Sequence, residues 1–71
     1  MRADDQDARF NMAISYVALE DLASAMPLLE GLSVERPDNG IVWRELGRIY
    51  ALQERIDESE EAYELAAALG Q

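Results

Sequence analysis

The chain has no cysteine, no histidine and no lysine. Without cysteine there is no disulfide and no thiolate metal site. Without histidine the commonest metal ligand and the usual acid–base group near neutral pH are both missing. No glycine-rich loop suits a phosphate, and no serine stands in a nucleophile-elbow setting. No catalytic, cofactor-binding or metal-binding residue is therefore assigned. Positive charge is also scarce, with six arginines against fifteen carboxylates and a net charge of -9. Such a surface repels phosphate backbones and anionic lipids, so nucleic acid and membrane are excluded as expected partners. Basic partners are favoured only in a general way, and solubility is the plainer reading of the acidity.

Long apolar runs are missing too, and none approaches membrane-spanning length. The opening Met1–Gln6 is too short and too acidic for a secretory signal. An intracellular setting is compatible with this, and the compartment stays open. At 71 residues the chain makes one small domain, a size that rarely builds a self-sufficient core without disulfides, metal or a partner subunit. Extra support must come from helix packing or from another chain.

Four helical stretches can be read, and no strand-length alternation of polarity occurs, so the fold class is all-α. The first helix is expected from about Asp7 to Leu19, with Phe10, Ala13, Ile14, Tyr16 and Val17 at helical spacings. Asp4, Asp5 and Asp7 lie where carboxylates suit the positive end of a helix dipole. They lack the spacing of a calcium loop. Asp21 is a plausible N-cap for a second helix from Leu22 to about Glu35. Pro27 and Gly31 should bend or loosen that helix. Pro37-Asp38-Asn39-Gly40 is a strong break. A third helix is expected from about Ile41 to Leu52, a turn over Gln53 to Ile56, and a fourth helix from about Asp57 to Leu69. Acidic residues open this last helix, and Gly70 can end it.

Spacing then says more than composition. Trp43, Leu46, Gly47 and Tyr50 spell W-x2-L-G-x2-Y, and Tyr16 stands 34 positions before Tyr50. This resembles the tetratricopeptide repeat, a helix–turn–helix unit of that length. In the second unit Ser59 stands where the pattern has alanine, Tyr63 where it has phenylalanine, and Gln71 at the closing proline. Gly47 and Ser59 should let two antiparallel helices approach, with Trp43, Leu46, Tyr50 and Tyr63 filling the space around them. The first unit is more degenerate. Arg9 takes the tryptophan position, Met12 replaces leucine and Ala13 replaces glycine, while Tyr16, Ala25, Leu29 and Pro37 fall in place. Arg9 suggests a corner that faces solvent. The resemblance implies an N-terminal extension over residues 1–5 and two units at 6–39 and 40–71. It implies four antiparallel helices in a right-handed α-solenoid segment.

The same resemblance implies where a partner would lie. In this family the first helix of each unit lines a concave groove that takes peptides. Here that groove would present Phe10, Asn11, Ile14, Val17 and Ala18 from one helix, and Ile41, Arg44, Arg48, Ala51 and Leu52 from the other. Arg44 and Arg48 are one turn apart and could grip an acidic group beside an apolar anchor. The alternative is that they pair with local carboxylates such as Asp7 or Glu45. Carboxylate pairs such as Glu60 and Glu64 would lie on the open convex face, where no environment tunes them for acid–base work.

An array of this kind usually needs about three units or a cap. Tyr63 and Ala66 should face inward, and Ala62, Leu65 and Leu69 should form an exposed stripe that seats another helix. The occupant would be a partner helix, a second copy, or the next unit of a longer array. Two readings of function follow. One is a non-catalytic scaffold that binds a partner peptide or helix in the groove, and the other is an assembly element that self-associates through its helical ends.

Overall fold

The computed structural model describes residues 3–70, with side chains over residues 6–70. Four helices follow one another, α1 (Ala3–Ala18), α2 (Leu22–Glu35), α3 (Gly40–Leu52) and α4 (Ile56–Ala68), with no strand among the described residues. Each packs on the next in sequence, most extensively α3 on α4. The result is a slab of 36 × 27 × 16 Å.

Local chemistry accounts for the boundaries. Asp21 caps α2 as its side chain accepts from the Ser24 amide at 3.3 Å, satisfying a donor that the first turn leaves unpaired. Asn39 does the same for α3 through the Ile41 amide at 3.0 Å. The α1 helix starts at Ala3, earlier than the spacing of apolar residues suggests, so the acidic run sits within its first turns rather than ahead of them. Residues 3–5 are therefore helical and continuous with α1. Met1 and Arg2, and Gln71 at the closing position of the second unit, lie outside the described residues. The α2 helix runs unbroken through Pro27. Its pyrrolidine leaves one backbone carbonyl in the preceding turn without its usual donor.

The two hairpin turns are the same turn. The Asp21 amide donates to Tyr16 O at 2.8 Å and the Glu20 amide to Val17 O at 2.9 Å. Thirty-four residues later the Arg55 amide donates to Tyr50 O at 2.8 Å and the Glu54 amide to Ala51 O at 3.0 Å. Glu20 and Glu54 hold φ of 62° and 64°, the left-handed residue that closes this kind of helix end. Glycine normally occupies such a place because it has no Cβ to clash. The sequence period is thus also a period of backbone geometry.

One core joins all four helices. It comprises Ala13 and Val17 of α1, Ala25, Met26, Leu29 and Leu32 of α2, Val42, Leu46 and Ile49 of α3, and Ala62 of α4. Phe10, Tyr16, Trp43 and Tyr50 pack around it. Helix α3 meets α4 at Gly47, whose carbonyl accepts from the Ser59 hydroxyl at 3.0 Å. A Cβ at Gly47 would stand 3.1 Å from the Tyr63 ring, so a larger residue here would make that ring give way by a few tenths of an ångström.

Two placements differ from the sequence reading. Ala62 was expected on an exposed stripe with Leu65 and Leu69, yet it is 2% exposed. Ser59, Ala62 and Ala66 are the buried residues of α4, at the i, i+3, i+7 spacing of one helical face. Tyr63 is displaced to the edge of that face and remains 40% exposed. Leu65 and Leu69 are exposed as expected. The second difference is Arg9, which does not simply face solvent. Its guanidinium meets the Glu35 carboxylate through two bonds of 2.9 and 2.7 Å, closing α1 onto the end of α2.

Candidate functional site

Helices α1 and α3 lie side by side and run in the same direction, as two cavities between them make plain. The first, of ≈ 210 Å³, is bounded by Asp7 and Phe10 near the start of α1, Leu32 and Arg36 at the end of α2, and Ile41 and Val42 at the start of α3. The second, of ≈ 470 Å³, is bounded by Val17, Ala18, Glu20, Leu22, Arg48 and Leu52. These are the last residues of α1, the first of α2 and the last turns of α3. The cavities therefore mark opposite ends of the α1–α3 pair, with the two ends of α2 contributing to their walls.

Along α3, Arg44 lies between them and Arg48 at the wall of the second. Both turn to Glu45, Arg48 at 3.0 Å and Arg44 at 3.7 Å. Glu45 is only 4% exposed, whereas its two arginines are about half exposed, with side-chain values of 49% and 54%. A buried carboxylate is costly unless it is paired, and here the partners reach in from the surface. Each guanidinium keeps further donors directed at solvent, since it carries five. Two positive groups on one negative group leave the centre of this face with a local charge of +1 on a chain of net charge -9.

The expected groove residues are distributed unevenly along this arrangement. Phe10 and Ile41 share the first cavity, and Val17, Arg48 and Leu52 share the second. Val17 is mostly core, at 8% exposed, while Leu52 is 62% exposed. Ile14 is half-buried, and Asn11 is exposed. The pairing of Arg44 and Arg48 with Glu45 is the arrangement that was weighed against a free basic pair. Asp7 is not among the ion-pair partners of either.

Leu22 and Glu20 lie outside the stripe that the resemblance implies, since they belong to the second helix of the first unit and to the turn before it. Glu45 was missed as a buried group, although it falls on the Val42–Leu46–Ile49 stripe at helical spacing. That stripe was the available signal.

Elsewhere the charged groups tie the fold together. Glu35 accepts from Arg9 and from the Gln6 amide at 3.1 Å, and these bonds, with the guanidinium charge, hold its carboxyl down to about 2. Arg55 grips Glu58 at 3.1 and 2.6 Å and lies 4.6 Å over the Tyr50 ring. The Tyr50 phenol is pushed up, first by burial and then by the Glu30 carboxylate. Among the described residues no cluster of acidic side chains could hold a metal ion, and no helix is long and apolar enough to cross a membrane. No protein-family model, no curated protein and no solved structure matches the chain.

Proposed function

We propose that the chain is a non-catalytic interaction scaffold of the tetratricopeptide kind, two units of a right-handed α-solenoid, that holds a partner peptide along the α1–α3 face. The observation that carries this reading is the face itself, with a cavity at each end and the half-exposed guanidinium groups of Arg44 and Arg48 along it, the latter in the wall of the second cavity. Cavities lined by apolar side chains with a few placed polar groups are what peptide side chains require. The recurrence of one turn geometry at a 34-residue interval supports the family reading, since it makes the chain two copies of one helical hairpin.

The alternative is assembly through the helical ends, and one comparison counts against it. Helix α2 packs on α3 as well as on α1, and its contribution to the shared core includes Met26 and Leu29. The residues 34 positions later on α4 are Glu60 and Tyr63. A copy stacked on α4 as α3 stacks on α2 would bring Glu60 into the contact, where an unpaired carboxylate is costly.

Selection from a random-sequence peptide library, followed by titration of the selected peptides, tests the scaffold reading. Binding that is lost in Ile41→Asp and Leu52→Asp variants is expected. Absence of any selected peptide, together with a molar mass that rises with concentration in sedimentation equilibrium, would overturn it in favour of assembly.

A further inference from the structure

We propose that the α1–α3 face selects an extended peptide with one acidic side chain in its middle and an apolar side chain on either side of it. This rests on the scaffold reading above and names the ligand that the face fits.

The spacing follows from the helix. Ile41, Arg44, Arg48 and Leu52 lie along α3, and Ile41 and Leu52 border the two cavities. At about 1.5 Å of rise per residue, Leu52 stands about 16 Å beyond Ile41, and the midpoint of the two arginines about 7.5 Å beyond it. An extended chain places alternate side chains on one side at intervals of about 6.6 Å. A ligand that puts an apolar side chain in the first cavity therefore delivers its next same-side group to the arginines. Its following apolar group, two residues further on and on the same side, reaches towards the cavity at Val17, Leu22 and Leu52.

Charge sets the composition. Arg44, Glu45 and Arg48 together carry one uncompensated positive charge, so one carboxylate neutralises the centre. Guanidinium favours carboxylate because its planar donors match the two oxygens. Asp7 and Arg36 stand at one cavity, and Glu20 and Arg48 at the other, so neither end offers the net positive charge that the centre does. The acidic group belongs to a side chain within the peptide and not to its C-terminus, because occupied cavities on both sides require the ligand to continue past the arginines. Buried Glu45 acts as a positioning residue that draws both guanidinium groups to the same spot.

The test uses a fluorescent peptide with both ends blocked and the core Leu-Ser-Glu-Ser-Leu, titrated into the full chain. Replacing its glutamate by glutamine should weaken binding about tenfold, the loss expected for one charge-assisted contact. Arg44→Ala and Arg48→Ala should each do the same in proteins whose circular dichroism is unchanged, whereas Arg55→Ala should leave affinity as it was. Equal binding of the glutamate and glutamine peptides, or no binding of either, overturns the proposal, as does binding that requires a free C-terminal carboxylate. Library-selected peptides of another pattern that still depend on Ile41 and Leu52 would sink this ligand class while leaving the scaffold reading intact.

Discussion

The two helical hairpins share a turn and differ in how they are held. In α1–α2 the position 34 residues before Trp43 is Arg9, and it closes the hairpin through Glu35. In α3–α4 the indole of Trp43 donates instead to Pro37 O at 2.9 Å, in the link between the hairpins. The first hairpin secures its own open end with a polar clasp, and the second secures itself to its neighbour. Their second helices differ for the same reason. Helix α2 is covered on two sides and is apolar nearly all round, as buried helices are. Helix α4 is covered by α3 and carries Asp57, Glu58, Glu60, Glu61 and Glu64. Backbone geometry repeats where the turn demands it, while side-chain chemistry follows the number of neighbours.

The largest test of that contrast is a pair of truncations at equivalent places. Leu29 is fully buried and Tyr63 is 40% exposed. Leu29→Ala should cost about 3 kcal/mol and Tyr63→Ala about 1 kcal/mol in urea unfolding. Equal losses would mean that α4 is as well covered as α2. Next in size, Ser59→Ala makes the second hairpin resemble the first, which has Ala25 at that place. Loss of the hydroxyl bond to Gly47 should lower stability by about 1 kcal/mol, read from the same unfolding midpoint. Glu20→Gly and Glu54→Gly relieve the same left-handed conformation, so each should raise stability by roughly 0.5 kcal/mol, and by nearly the same amount. A marked difference between the two would break the equivalence of the turns.

The smallest effect concerns the exposed clasp. The carboxyl of Glu35 is lowered from 4.5 to about 2 in the folded chain. The stability it adds is complete above the unfolded value and is lost as pH falls from about 4.5 towards 2. The gap in melting temperature between the native chain and Glu35→Gln should narrow over that window. A constant gap would show that the clasp acts by packing alone.

Much of the helical layout was legible. Asp21 and the Pro37–Gly40 break bound α2 where side-chain capping and a missing amide dictate. The start of α1 was less so, because acidic residues at a helix N-terminus carry no apolar period to mark them. On α4 the pattern of large residues pointed to Tyr63 as the inward group. Small Ala62 is buried with Ser59 and Ala66, while the Tyr63 ring lies against Gly47 and stays 40% exposed. At the site, the four α3 residues could be found from spacing. The burial of Glu45 could not be read from its chemistry, as a carboxylate is ordinarily a surface group.

The indole bond to Pro37 has an optical consequence. Trp43 is the single tryptophan of the chain, so its emission reports on the joint between the hairpins and the core beside it. Far-ultraviolet ellipticity reports on all four helices at once. If emission shifts to the red before ellipticity falls on heating, the joint has opened while the hairpins persist. Coincident curves would show the slab melting as one unit.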